Sequence, residues 1–237
     1  MLFRSISNSK HQHAHEITHI DVSTQASKDA YPHFMLKEIH EQPQSTTSTM
    51  HGRLCVQQAT ADLGIIIPHD VDQLIFVGCG TALHAAMVGK YIIEHIAKTP
   101  VEVEHASEFR YRSAPRRQRS MVIALSQSGE TADTLAALKQ AQSQGYPVAS
   151  ICNNHSSSIA RASNNNIDMC IGPEIGVAAT KSFTSQCMIL AMLALMIARN
   201  KHMTHDQGMQ MIHALQSIPA LQQQALQQDA CIKNIAN

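Results

Sequence analysis

The residues best suited to chemistry in this 237-residue sequence form one short cluster. It reads SQSGET, from Ser126 to Thr131, directly after the apolar run MVIAL, Met121 to Leu125. Three hydroxyls, at Ser126, Ser128 and Thr131, fall within six residues, and Gly129 lets the backbone come close to a ligand. The helical pattern TADTLAALKQAQSQG follows, so the cluster is a strand-to-helix turn. The first N–H groups of a helix have no intrahelical acceptor and sit at the positive end of its dipole, which stabilises an anion there. Hydroxyls and N–H groups together suit a phosphate without requiring lysine. The same residue types also start ordinary helices: Ser128 fits an N-cap, although Thr131 stands where a capping box has Glu or Gln. On these residues alone, phosphate binding and plain capping both stay open.

Such a turn must be positioned by the elements around it. QLIFVGCG, Gln73 to Gly80, reads as a buried strand ending in glycine, and Thr81 to Ala97 as a helix with apolar residues at helical spacing. Further strands are expected at 101–106, 120–125, 147–153 and 167–172, with a short helix in SSSIARAS and a long one from about Val177 to Asn200. Strands alternating with helices imply parallel pairing through right-handed crossovers. The expected fold is α/β: a flavodoxin-like, doubly wound parallel sheet with flanking N- and C-terminal helices. Ligands in such sheets sit beyond the carboxyl ends of the strands, where strand order reverses, and both GCGT and SQSGET lie at strand ends. GCGT is neither GxGxxG nor a Walker A sequence, which disfavours a nucleotide site.

The expected organisation is a polar tail over 1–30, a leading helical segment over 31–72, the sheet domain over 73–200 and one or two amphipathic helices over 201–237. In the leading segment, HFMLKEIHEQ is helical and Pro43 limits it, while STTSTMHGRL is a weaker helix or a connector. The tail holds His11, His13, His15 and His19. Alternating histidines suit a metal, but no cysteine or carboxylate cluster completes a coordination set, so no metal site is expected.

Lys plus Arg and Asp plus Glu number 18 each, giving a formal charge of zero. That balance offers no electrostatic pull toward nucleic acid or an anionic membrane, and neither is expected as a partner. The six cysteines have no CxxC spacing and read as reduced core residues of a cytoplasmic protein. The longest apolar run, Cys187 to Ala198, is shorter than the roughly 18 residues of a membrane span and reads as a buried helix. No cofactor is implied.

ASEFRYR (Ala106 to Arg112), LSQSGETADTL (Leu125 to Leu135), SICN (Ser150 to Asn153) and EIGVAATKSFTSQ (Glu174 to Gln186), in this order, carry a resemblance. They are similar to the first sugar-isomerase (SIS) domain of the glutamine-fructose-6-phosphate aminotransferases (isomerizing), the glucosamine-6-phosphate synthases. MLKEIHEQP resembles the helix leading into that domain, and the likeness runs from about Tyr31 to the C-terminus. It implies that the turn holds the phosphate of a hexose phosphate, fructose 6-phosphate or glucosamine 6-phosphate. Ser126, Gln127, Ser128 and Thr131 match the family's phosphate and sugar contacts. Cys79, Gly80 and Thr81 match its first loop, and Val177 a backbone contact near the sugar. Ala82 departs from the family's serine, removing one hydroxyl, and NNHSSS replaces a Pro-Gly turn.

The family's glutaminase domain, with its N-terminal nucleophilic cysteine, has no counterpart in these residues. Neither does its second SIS domain, which supplies the proton-moving glutamate, the Schiff-base lysine and, from the partner subunit, the ring-opening histidine. Local substitutes are not expected. Glu130 reads as a first-turn helix acid, Glu174 and Lys181 as residues that cap and solubilise the long helix, and His84 as a surface or interface residue. No catalytic residue is assigned. Two readings follow: a component of the aminotransferase that needs a second SIS domain and an ammonia source, or a stand-alone module that senses or sequesters a phosphosugar. A homodimer, or a heterodimer with a separately encoded second SIS domain, is expected. The grounds are the all-apolar helix and the Met- and Gln-rich C-terminal stretch, which have few internal partners to cover them.

Overall fold

The computed structural model describes residues 27–112, 119–163 and 165–236. The histidine run from His11 to His19 lies outside them. Five parallel strands form the central sheet: β3 (Gln73–Gly78), β4 (Val101–His105), β5 (Ser120–Leu125), β6 (Val148–Cys152) and β7 (Asn166–Asp168). Their order is β4-β3-β5-β6-β7. Counting only these five, that is 2-1-3-4-5, the flavodoxin order, whose reversal point lies between the first and third strands. Here those are β3 and β5, the strands that end in GCGT and SQSGET.

The inner strands are mostly apolar on both faces because both faces are covered, with Ser150 the polar residue within β6. Leu74, Phe76, Met121, Ile123 and Leu125 join one core cluster, with residues of α3 (Gly80–Ala97) and α7 (Lys181–Lys201). Ile75, Val77, Val122 and Ala124 point the other way and pack with Ala137, Leu138 and Ala141 of α5 (Ala132–Ser143) and Ile159 of α6 (Ser158–Ser163). The short α4 (Ala106–Phe109) closes that second layer. A period of two thus splits each strand between two helical layers. Within the first layer α3 and α7 approach closely at Gly89, where a Cβ would stand 2.5 Å from Leu190 Cδ1.

Two helices precede the sheet, α1 (Phe34–His40) and α2 (Gln42–Met50). Pro43 does not merely end the first; it opens the second, at a position where its missing N–H is not needed. A two-residue antiparallel pair follows, β1 (Leu54–Cys55) with β2 (Thr60–Ala61), which no sequence pattern suggested. After the sheet come α8 (His205–Leu226), begun by a capping box of Thr204 and Gln207, and α9 (Asp229–Ala236).

The long helix starts at Lys181, not at Val177. Residues 172–180 form a loop instead, and the carboxylate of Glu174 supplies the helix start from outside by accepting the N–H groups of Thr180 (2.9 Å) and Ser182 (3.2 Å). By length and composition α7 is, among the described residues, the one helix apolar enough to cross a membrane, and most of it is buried within the fold. It is therefore the central core helix, packed against α2, α3 and the sheet, with most of its residues buried. Exposed apolar residues occur instead on other elements, among them Met87, Val88 and Tyr91 on α3, Ile175 and Val177 in the loop before α7, and Leu221, Ile232 and Ile235 on α8 and α9.

Candidate functional site

The carboxyl ends of β3 and β5 frame a cavity of about 170 Å³. From the β5–α5 turn it is lined by Ser126, Gln127, Ser128 and Thr131, and from the start of α3 by Cys79, Thr81 and Ala82. The loop before α7 contributes Val177 and Ala179, and α7 itself contributes Ser182 and Gln186. Seven of the eight residues singled out from the sequence therefore meet in one space. Gly80 does not line it, and forms the first residue of α3 behind Cys79. His84 is exposed on α3 and away from the lining.

The geometry decides how the turn uses its hydroxyls. The N-cap of α5 is Thr131, not Ser128, and its side chain does not cap the helix. Thr131 Oγ1 lies instead 3.1 Å from Ser126 Oγ, which also accepts the N–H of Gly129 at 3.1 Å. Ser128 Oγ accepts the N–H of Glu130 at 3.2 Å. The hydroxyls thus hold the turn's own shape, and the start of α5 has no side-chain cap. Cys79, the N-cap of α3, makes no side-chain cap either. Two helices consequently aim uncapped N-termini at the same space, and their dipoles make it favourable for negative charge. No lysine, arginine, histidine or carboxylate is among the described lining residues.

Gly129 has φ +67°, and a Cβ there would overlap Ser157. The turn is backed by α6: Gly129 O accepts the N–H of Ile159 at 3.0 Å, and the Glu130 carboxylate accepts that of Ser158 at 2.8 Å. The bond to Ser158 holds the Glu130 carboxyl below its usual range. Glu130 therefore serves the neighbouring helix and not the first turn of α5, and it faces away from the cavity.

The Val177 loop is fixed from the other side. Glu38 of α1, 2% exposed, accepts the N–H of Ile175 at 2.6 Å and of Gly176 at 3.1 Å. Lys181 is buried, not solubilising: its side chain is 4% exposed and its Nζ lies 2.7 Å from Glu41 Oε2. Burial is tolerable because the charge is paired. These groups border a larger space of about 430 Å³ between α1, α2 and residues 170–175. Each charged side chain lining it has a partner: Lys37 with Asp29 at 2.7 Å, Glu41 with Lys181, Glu38 with backbone N–H groups. Its charged side chains are thus already satisfied within the fold.

The sequence reading passed over Ala179, Ser182 and Gln186. A signal existed for the last two: Ser182 and Gln186 are polar residues four apart at the start of an apolar helix, which puts them on one face.

The SIS domain family matches residues 69–196. Glutamine-fructose-6-phosphate aminotransferase (isomerizing) of Bacteroides thetaiotaomicron is 46% identical over 208 residues, covering 85% of this chain and 34% of the relative. Its counterpart in Clostridium acetobutylicum is 44% identical over 204 residues, covering 84% and 34%. The chain thus spans about a third of the length of the curated relatives it matches. Among solved structures, the C-terminal domain of glucosamine-fructose-6-phosphate aminotransferase from Francisella tularensis superposes with a TM-score of 0.83 at 39% identity, over 89% of this chain and 60% of that one. With the family match extending over more than half its residues, the chain belongs to the SIS domain family.

Proposed function

We propose that this chain binds a hexose phosphate, fructose 6-phosphate or glucosamine 6-phosphate, as the isomerase-side SIS domain of a glutamine-fructose-6-phosphate aminotransferase. The observation that carries this reading is the cavity itself: two uncapped helix N-termini and a hydroxyl-rich turn converge on one space with no cation among its described lining residues. Backbone N–H groups and hydroxyls can bind phosphate in that arrangement. Ser126, Gln127, Ser128 and Thr131 would take the phosphate, Cys79 and Thr81 would form the floor with Gly80 shaping the loop between them, and Val177 would border the sugar. Ala82 lines the same floor without a hydroxyl.

Catalysis is a separate matter from binding. Moving a proton between sugar carbons needs a base within hydrogen-bond reach, and Schiff-base chemistry needs a lysine. Glu130, Glu174 and Lys181 are each engaged elsewhere, with Ser158, the start of α7 and Glu41. We assign these residues to structure, and the chemistry to a second SIS unit in the same assembly. Association through the exposed face of α8 and α9, as a homodimer or with that unit, accords with the apolar residues there. A cytoplasmic setting accords with six unpaired cysteines.

Titration of the isotope-labelled chain with fructose 6-phosphate, followed by amide chemical shifts, tests the reading. Shifts are expected over 79–81, 126–131 and 177. Shifts confined to the space between α1 and α2, or none at millimolar ligand, would contradict it.

A further inference from the structure

Gln186 is the cavity-lining residue that the fold leaves unsatisfied. It is 1% exposed, it lines the 170 Å³ space, and its Nε2 has no hydrogen-bond partner. Buried polar groups in native proteins are nearly always bonded, so an orphan on a ligand cavity marks a place where a partner is supplied from outside. Its neighbour one helical turn back, Ser182, lines the same wall. The wall is contributed by α7, whereas the hydroxyls of the anion turn come from the β5–α5 connection.

The chemistry of the group selects its partner. A carboxamide presents donors and an acceptor side by side. The orphan atom Nε2 is a donor, and either a phosphate oxygen or a sugar hydroxyl could accept from it. A sugar hydroxyl both donates and accepts, and it matches the amide in whichever orientation the amide takes. The phosphate already has the hydroxyls and N–H groups of the turn, so the part of the ligand left to meet α7 is the polyhydroxyl part.

We propose that Gln186 is a specificity-determining contact, its carboxamide hydrogen-bonding a hydroxyl of the sugar while the β5–α5 turn holds the phosphate. This rests on the phosphosugar reading given above and adds to it the residue that distinguishes a sugar phosphate from a bare anion. Sites built to bond a hydroxyl discriminate strongly against ligands without one, because their own polar atoms are then left unpaired.

The test compares two ligands across three variants of the full chain. Affinities for fructose 6-phosphate are measured by calorimetry, and those for inorganic phosphate by competition. Gln186→Met removes the polar atoms at similar length, and it should weaken fructose 6-phosphate by about tenfold or more while leaving inorganic phosphate unchanged. Its melting temperature should stay the same or rise, since a buried amide whose Nε2 is unpaired is replaced by an apolar group. Should the methionine variant fail to fold, Gln186→Asn keeps an amide one methylene shorter, and its ratio of fructose 6-phosphate to phosphate affinity should also fall. Ser128→Ala should weaken both ligands. Unchanged fructose 6-phosphate affinity in the Gln186 variant that folds, or equal weakening of both ligands, overturns the assignment. Unchanged affinities in Ser128→Ala would instead overturn the phosphate reading, independently of Gln186.

Discussion

Lys181 Nζ lies 2.7 Å from Glu41 Oε2, joining the first residue of the core helix α7 to the junction of α1 and α2. The pair is lopsided: the lysine side chain is 4% exposed and the glutamate 32%. The lysine is also a cation at a helix N-terminus, where the dipole opposes it. Removing the acid strands a buried charge, whereas removing the lysine leaves an acid that water and Lys37, 3.5 Å away, can still reach. Glu41→Gln should therefore destabilise the fold by about 2 to 3 kcal/mol, at the lower end for broken buried pairs because Glu41 is partly solvated, and Lys181→Met by about 1 kcal/mol or less. Urea unfolding of both variants checks the order, and equal losses would contradict it.

Glu38 ties the Val177 loop to α1 through the N–H groups of Ile175 and Gly176. Glu38→Gln keeps the shape but turns part of an acceptor into a donor facing donors. Hydrogen bonds to charged groups contribute about 1.5 to 3 kcal/mol, so a stability loss near 2 kcal/mol is expected. Hydrogen exchange should quicken at Ile175 and Gly176 before it does in the strands.

Gly129 combines a left-handed backbone with the close approach of Ser157. Gly129→Ala meets both penalties, roughly 1 to 3 kcal/mol for the backbone alone. Ser157→Ala in addition should not rescue it, because the Cβ of residue 157 stays in the way. Recovery of full stability in the double variant would show that contact with the Ser157 hydroxyl, and not the left-handed backbone or the Cβ of residue 157, sets the cost.

Cysteine reactivity should follow burial. The Cys152 thiol is pushed up to about 12 by burial, and that of Cys187 to about 11, while Cys170 and Cys231 are exposed. In the native chain at pH 8, Cys231 should be alkylated quickly and Cys152 and Cys187 only on unfolding. The shift also carries a pH dependence. A thiol whose folded value lies above its ordinary 9.0 adds stability that is present in full below pH 9 and lost as the pH rises toward 12. Unfolding midpoints should fall across that range, and substituting Cys152 with Ala should flatten the fall.

Much of the fold and the turn can be read in the sequence because their signals are local. MVIAL next to SQSGET announces a strand, a turn and a helix within a dozen residues, and the alternation of strands and helices yields the parallel sheet. What could not be read depends on contacts across the chain. Glu130 looks like a first-turn acid until the turn is seen to bring it to Ser158, 28 residues on. Lys181 looks solvated because its partner lies 140 residues earlier. The start of α7 was misplaced because Glu174, six residues before Thr180, caps it from a loop. Gln186 was missed because an apolar helix hid a polar face whose purpose shows only against the cavity.

The central claim is that the SQSGET turn holds the phosphate of a sugar phosphate. Calorimetric titration of the purified chain with fructose 6-phosphate, wild type against Ser128→Ala, tests it most directly. A charge-assisted bond contributes about 1.5 to 3 kcal/mol, so binding should be measurable in the wild type and weaker by about tenfold or more in the variant. Equal affinity in the two proteins, or no binding by a folded wild type, would contradict the account.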